Sequence, residues 1–108
     1  VFDCRALNNP GRQPEYANLS GKDREVIQVL GQDPAVMEFL VSAMQMVSAS
    51  IEQYKARGFR NLMVSFGCTG GRHRSVYCAE QLAKMIAEAH HVHVEIIHRE
   101  EESWGQTP

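Results

Sequence analysis

The chain has 108 residues, of which 44% are hydrophobic and 22% charged, and its formal net charge is -2 at pH 7. This length is enough for one hydrophobic core and excludes two separate domains of ordinary size. The near-neutral charge excludes a strong overall field that would attract nucleic acid or an anionic membrane, so any basic site must be local.

The first half of the chain predicts one short strand and two helices. Residues 1 to 7 alternate loosely as a strand, and the sequence NNPGRQP that follows is typical of a loop. Ser20 and Asp23 have the spacing of a capping box ahead of a short helix, which Gly31 would end in a left-handed conformation.

A long helix follows, with Asp33 as its cap and Pro34 at its first position. Gly58 is expected to stop it. The apolar residues between these signals recur at intervals of three and four, which predicts one buried face: they are Val36, Phe39, Leu40, Ala43, Met44, Val47, Ile51 and Tyr54.

The second half predicts a strand, a loop, a helix and another strand. Residues 61 to 67 form an apolar run that indicates a buried central strand, and HVHVEIIH at residues 91 to 98 alternates as a second strand. Together they predict a βαβ unit with parallel pairing. We therefore expect one α/β domain over residues 1–101, with a small, at least partly parallel sheet flanked by helices, and a flexible tail over residues 102–108.

The sequence GCTGGRHRS, residues 67 to 75, lies at the carboxyl end of the predicted central strand, where open α/β sheets bind their ligands. Gly70 and Gly71 have no β-carbon and tolerate positive φ, so successive N–H groups can curve around one anion. A helix that begins near Arg74 directs its unpaired N–H groups at the same spot. This predicts a site for a phosphate, sulfate or carboxylate, in which the planar fork of Arg74 suits two phosphate oxygens. Further contacts are predicted from Cys68, Thr69, Arg72, His73 and Ser75.

Two enzymatic interpretations of the loop differ in strength. Cys68, Gly71, Arg74 and Ser75 match the Cys-x-x-Gly-x-x-Arg-Ser pattern of cysteine-dependent phosphatases, in which a thiolate of low pKa attacks phosphorus. Gly67 stands where that family has His, and no loop bearing the required acid is recognisable. A P-loop for ATP needs a lysine that this loop lacks.

The loop, continued as VYCAEQLA, resembles the C-terminal domain of the RNase adapter RapZ family. FDCRALNNP is similar to that domain's opening Phe-Asp-x-Arg-x-Leu-x-Asn-Pro, LSGKD to its Leu-Thr-Gly-x-Asp, and HRE to its His-Arg-acid element. The resemblance covers most of residues 2 to 101. It implies a sensor domain for glucosamine-6-phosphate, in a protein that also binds small regulatory RNAs and carries an N-terminal ATPase module.

Carried over by position, the resemblance implies a phosphate-binding set made of Cys68, Thr69, Gly70, Gly71, His73, Arg74 and Ser75, with Asp3 near the sugar. One departure is Gly11, which follows Asn9-Pro10 where family members commonly have His. The charge balance lacks the broad basic face that RNA binding rewards, which leaves RNA to a local patch or an oligomer. A purely RNA-binding or scaffolding module is the third alternative.

Four charged residues outside the loop are candidates for a supporting role. Asp3 and Arg5 share one face of the first strand, either as a surface ion pair or as part of the site. His98 and Arg99 end the last predicted strand, at the same sheet edge as Gly67. No metal or cofactor is predicted, because the histidines near the end of the last helix do not converge: they are His90, His91 and His93.

Compartment and completeness are also predicted from the sequence. The three cysteines are an odd number without Cys-x-x-Cys spacing, which indicates neither a disulfide framework nor a zinc site. No apolar run of about 20 residues and no signal-peptide layout is apparent. We therefore expect a cytoplasmic protein that does not contact membranes. Because the chain opens at Val1 in a strand-like run, we expect a fragment of a longer protein.

Overall fold

The computed structural model describes residues 1–104. The described residues form three helices and a parallel sheet of two strands, which confirms an α/β domain. In chain order the elements are β1 (Phe2–Asp3), 3-10 turns Pro10–Arg12 and Pro14–Tyr16, α1 (Arg24–Gly31), α2 (Pro34–Ala56), β2 (Phe66–Gly67), α3 (Arg74–His90) and a 3-10 turn Glu101–Ser103.

Helix α1 begins near its predicted cap but ends differently from the prediction. The Asp23 carboxylate accepts the Ser20 N–H at 2.7 Å, and the Ser20 hydroxyl accepts the Lys22 N–H at 3.1 Å, so these side chains order the turn before the helix. Gly31 does not have positive φ and remains within the helix, so its predicted left-handed cap is wrong. The reason is a tight right-handed exit, in which the Leu30 carbonyl accepts the N–H of Asp33 at 3.2 Å.

Helix α2 confirms the predicted long helix at both ends. The Asp33 side chain accepts the Ala35 N–H at 3.0 Å, and Gly58 lies just beyond the end with φ of 76°. By length and a mean hydropathy of 1.3 it is able to cross a membrane, contrary to the expectation that no segment is. The helix has one buried stripe that packs within the domain and consists of Val36, Leu40, Ala43, Val47 and Ile51.

The sheet joins the start of the chain to the segment before the glycine-rich loop. Phe2 pairs with Phe66 and Asp3 with Gly67, in parallel. The Cys4 N–H donates to the Gly67 carbonyl at 2.7 Å, and the Phe2 and Phe66 rings stack with centroids 5.3 Å apart. This register places the end of β1 beside the first residue of the loop.

The predicted βαβ unit is wrong in its strands. Only Phe66–Gly67 of the run over residues 61–67 is a strand, and in the described structure no residue from 91 to 98 belongs to one. Met63 is 82% exposed, so the run is not a buried central strand. A strand requires a backbone partner, and within residues 1–104 only β1 supplies one.

Two clusters form the core. The first joins the residue that follows β1 to helices α1, α2 and α3, and consists of Cys4, Val26, Leu30, Val36, Leu40, Tyr77 and Cys78. The second joins α2 to the middle of α3 through Val47, Ile51, Leu82 and Ile86. A hydrogen bond with Cys4, together with burial, raises the pKa of the Cys78 thiol far above its ordinary value. Both of these thiols therefore act as small apolar residues of the core.

The predicted tail is described only in part. Its first residues belong to the 3-10 turn Glu101–Ser103, and the ring of Trp104 lies 5.9 Å from that of His98. Residues 105–108 lie outside the described residues, so the flexibility of the tail stays a prediction.

Candidate functional site

The glycine-rich loop connects β2 to α3 and bends at Gly71. Gly71 has φ of 61°, a conformation that favours glycine. A β-carbon there would also lie 2.8 Å from Cγ of Glu100, whereas one at Gly70 would meet nothing within 4 Å. The backbone at Gly71 therefore favours glycine, and a side chain there would also have to displace Glu100, whereas Gly70 borders open space.

The N–H groups of the loop converge on the sulfur of Cys68. The thiol lies 3.2 Å from the Ser75 hydroxyl oxygen, and the N–H groups of Ser75, Gly71 and Gly70 lie close enough to the sulfur to favour its charged form. Burial is the largest single influence and raises the pKa of the Cys68 thiol, but these hydrogen bonds together outweigh it and lower the pKa below its ordinary value. The loop thus stabilises negative charge at this sulfur.

A cleft of about 500 Å³ opens beside this sulfur. One wall is the loop itself, including Cys68, Thr69 and Ser75, and the opposite wall is formed by residues 97–100. The remaining lining comes from β2, the residues just before it and the first turns of α3. The structure therefore brings His98 and Arg99 to the same cleft as the loop.

Arg74 is buried beneath the loop, with 5% of its surface exposed. Its Nη1 donates to the carbonyl oxygens of Arg5 at 2.8 Å and Leu7 at 3.0 Å, and its Nη2 donates to the Thr69 hydroxyl at 3.2 Å. Its Nε has no hydrogen-bond partner within residues 1–104. Carbonyl and hydroxyl oxygens of the protein thus bind the Arg74 guanidinium, which the sequence assigned to a phosphate. Its positive charge lies under the loop.

Arg72 and His73 extend from the loop to a segment more than fifty residues earlier in the chain. Arg72 donates through Nε to the Leu19 carbonyl at 2.7 Å and through Nη2 to the Asn18 carbonyl. His73 donates through Nε2 to the Tyr16 carbonyl at 2.8 Å. Neither side chain lines the cleft. Their hydrogen bonds within the described residues are to backbone carbonyl oxygens.

Two glycines permit this segment to approach the loop. A β-carbon at Gly11 would lie 2.8 Å from Cε1 of His73, and one at Gly21 would lie 2.4 Å from both the His73 carbonyl oxygen and the Tyr77 nitrogen. The Gly21 N–H also donates to the Arg72 carbonyl at 2.8 Å. Gly11, which stands where family members commonly have His, therefore lies next to His73 of the loop.

Asp3 and Arg5 form an ion pair at the end of β1, with 2.8 Å between Asp3 Oδ2 and Arg5 Nη2. Both side chains are exposed and neither lines the cleft. Hydrogen bonds from Arg5 lower the pKa of Asp3 to about 2. Of the two interpretations of this pair, the structure shows the surface ion pair. Asp3 is the strand partner of Gly67.

The turn opposite the loop contains an acidic residue that the sequence analysis did not select. The Glu100 side chain packs over Gly71 and lines the cleft, next to His98 and Arg99. His98 is 7% exposed, and its Nε2 lies 3.4 Å from Glu80 Oε2, too poorly aligned for a hydrogen bond. The signal for Glu100 was available in the sequence, as the acid of the HRE element.

The histidines near the end of α3 diverge. His90 contacts the Ser48 hydroxyl at 3.0 Å and the Glu52 carboxylate at 3.2 Å, whereas His93 lies 3.4 Å from Glu95. Within residues 1–104, no three His, Cys, Asp or Glu side chains come together as a set that would hold a metal ion.

Fold and loop together define an α/β domain whose strand-to-helix turn concentrates N–H donors at the wall of a cleft. A family profile described as the RapZ C-terminal domain matches residues 1–102, and the chain belongs to this family. Similar proteins, each named a nucleotide-binding protein, occur in Ruegeria pomeroyi (40% identity over 94% of this chain), Pseudothermotoga lettingae (38% over 88%) and Thermotoga neapolitana (41% over 80%). The chain spans about a third of their length, namely 36%, 34% and 31% of each.

Proposed function

We propose that the cleft binds the phosphate group of a small phosphorylated sugar, with glucosamine-6-phosphate as the candidate that the family resemblance implies. The observation that carries the proposal is the convergence of the N–H groups of Gly70, Gly71 and Ser75 at the wall of the cleft. Such a group of donors, at the start of a helix and above the buried charge of Arg74, favours an anion. The domain then acts as a sensor within a longer protein.

The volume and the opposite wall of the cleft support a sugar phosphate. About 500 Å³ lies in the range of small-molecule sites. With the phosphate at the loop, the sugar would lie near His98, Arg99 and Glu100. A carboxylate at position 100 complements the ammonium group of an amino sugar, which favours glucosamine-6-phosphate over neutral hexose phosphates.

Nucleotide binding, which the relatives' names state, is proposed to reside in the part of those proteins outside this chain. The loop has no lysine at the position where a P-loop contacts phosphates. ATP is therefore a useful comparator, because it carries phosphates that the cleft would accept only weakly. RNA binding would be separate, and would show as affinity for a structured RNA that falls steeply with salt and ignores sugar phosphates.

Isothermal titration of the chain with glucosamine-6-phosphate, glucose-6-phosphate, glucosamine and ATP tests the proposal. We expect measurable affinity for the two sugar phosphates, the amino sugar phosphate being tighter, and little for glucosamine. In Ser75→Ala the affinity for both phosphates should fall, while Ser42→Ala on α2 should have no effect. Equal affinity for glucosamine and its phosphate, or no binding of either, contradicts the proposal.

A second candidate, cysteine-dependent phosphatase activity, is favoured by the lowered thiol pKa of Cys68 and by the nearby Glu100. The thiolate would attack phosphorus to form an S–P bond while the P–O bond to the leaving group breaks, with Glu100 as the general acid for the departing oxygen. Water would then break the S–P bond and release phosphate. Hydrolysis of p-nitrophenyl phosphate that vanishes in Cys68→Ser and slows in Glu100→Gln would support it. Activity that persists in Cys68→Ser, or no activity above buffer, rejects it.

A further inference from the structure

A second groove adjoins the first cleft, with which it shares Val64, Phe66, Ala79 and Ile97. Its volume is about 270 Å³, and its floor is formed by apolar residues of α2 and α3, among them Ile51, Leu82 and Ile86. Its two walls are the segments 59–64 and 92–97, which together supply about half of the lining residues. These walls overlap the segments 61–67 and 91–98, for which the sequence predicts strands.

The backbone of both walls is unpaired. Within residues 1–104, no backbone hydrogen bond involves an N–H or C=O of residues 60–64 or 92–97. Yet the first wall leads directly into β2, whose other edge pairs with β1. A native sheet rarely leaves two neighbouring edges open in this way, because each row of free N–H and C=O groups is a template for another strand.

Several large apolar side chains of the walls are also exposed. Met63 and Ile97 are each 82% exposed, Phe59 is 56% exposed, and Ile96 is 45% exposed although it lines the groove. Large apolar residues clustered around a groove indicate a surface that is covered in the working protein. An occupant must therefore supply both apolar side chains and backbone hydrogen bonds.

We propose that one extended strand, contributed by the longer polypeptide to which this domain belongs, occupies the groove between residues 60–64 and 92–97. Only an extended backbone offers N–H and C=O groups along both of its edges at once, and five or six residues would match the two walls (about the usual strand length). The sheet would then contain four strands, in the order β1, β2, inserted strand and residues 92–97.

The rest of the longer polypeptide is a better source of the strand than a second copy of this chain. Residues 1–104 of a second copy offer no spare strand, because each strand-like segment among them is already β1, β2 or a wall of its own groove. The relatives, in contrast, are more than twice as long as this chain, because the matched 86 to 102 residues make up only 31–36% of them. A strand in the same polypeptide also has a high effective concentration at the groove.

The inserted strand would also affect the first cleft. Residues 92–97 lead directly into His98, Arg99 and Glu100, which form the wall opposite the loop. Pairing would fix that wall, so the groove and the cleft would be ordered together. This ordering of the cleft wall does not depend on which ligand the cleft binds.

Amide hydrogen exchange, measured by mass spectrometry, tests the inference on the 108-residue chain and on the longer gene product that contains it. We expect residues 60–64 and 92–97 to exchange rapidly in the short chain and at least about tenfold more slowly in the longer one. The middle of α2 should be protected in both and reports folding. Equal exchange of the walls in the two proteins overturns the proposal, as does protection in the short chain that rises with its concentration, which means a second copy.

A substitution in the groove gives an independent readout. Ile96→Lys should leave the thermal midpoint of the short chain unchanged, because the side chain is already 45% exposed, but should restore rapid exchange of the walls in the longer polypeptide. Met46→Lys, at a 56% exposed position of α2 outside the groove, is the matched control. It should change neither the thermal midpoint of the short chain nor the exchange of the walls in the longer polypeptide. Walls that stay protected in Ile96→Lys argue against an inserted strand.

Discussion

Arg74 Nη1 lies 3.0 Å from the carbonyl oxygen of Leu7, so the first residue of α3 holds the chain that leaves β1. The same nitrogen binds the Arg5 carbonyl at 2.8 Å, and the residue is 5% exposed. The arginine thus fixes the position of the loop relative to the sheet. It stabilises the fold whether or not it also attracts a ligand.

We expect Arg74→Lys to destabilise the protein by about 2 to 4 kcal/mol, because an ammonium group cannot satisfy the separate carbonyl groups and leaves some of them buried without a partner. Urea unfolding measures this loss. The exposed Arg60→Lys, made in parallel, should change the free energy of unfolding by less than about 0.5 kcal/mol. Equal, small effects of both substitutions would show that the buried contacts of Arg74 contribute little.

Gly21 should not accept any side chain. In Gly21→Ala the new β-carbon would lie 2.4 Å from backbone atoms of His73 and Tyr77, which cannot move without disturbing the start of α3. We expect a loss of more than about 3 kcal/mol, or no folding. Gly31→Ala, within α1 and 3.4 Å from the Tyr77 hydroxyl, should be neutral or stabilising by up to about 1 kcal/mol. Thermal unfolding followed by circular dichroism separates the two.

Gly11 and His73 should be energetically coupled. A β-carbon in Gly11→Ala would lie 2.8 Å from the imidazole Cε1, so the ring must turn and lose its hydrogen bond to the Tyr16 carbonyl, at a cost of about 1 kcal/mol. In a His73→Ala background the same substitution should cost almost nothing. The double-mutant cycle measures this difference, and strictly additive effects would mean that the two residues do not interact.

Cys68 should react with iodoacetamide at a lower pH than an ordinary cysteine. The hydrogen bonds of the loop lower the pKa of its thiol, so the thiolate forms below the usual value of about 8.5 and the alkylation rate falls only when the pH drops beneath that lowered pKa. Ser75→Ala removes one of these hydrogen bonds and should move the rate profile to higher pH. Cys4 and Cys78 are buried and serve as internal controls, with no modification expected in the folded protein.

The Asp3 carboxylate should titrate near pH 2. Its folded-state pKa lies below the ordinary 3.8, so the ion pair with Arg5 contributes fully at pH values above 3.8, and the contribution is lost as the pH falls towards 2. NMR titration of the Asp3 carboxyl carbon measures the midpoint directly. In Arg5→Gln the midpoint should return towards the ordinary value, and an unchanged midpoint would assign the shift to another charge.

Local signals predicted the helices well. Asp33, Pro34 and Gly58 mark the ends of α2, and intervals of three and four identify its buried stripe, since capping and burial on a helix depend on residues within a few positions. The same reasoning placed the glycine-rich loop between a strand and a helix. It was wrong about residues 91–98, because alternation shows that a segment suits a strand but does not provide its partner.

The sequence by itself determined α2, the position of the loop and the N–H groups that the loop directs to one point, all of which depend on neighbouring residues. Only the tertiary structure decided where the long basic side chains go: Arg72 reaches a carbonyl 53 positions away, and Arg74 one that is 67 positions away. The composition of the loop suggested that these donors would bind a ligand. A flexible charged side chain, however, binds the nearest unsatisfied oxygen in space, and folding brings that oxygen from a distant part of the chain.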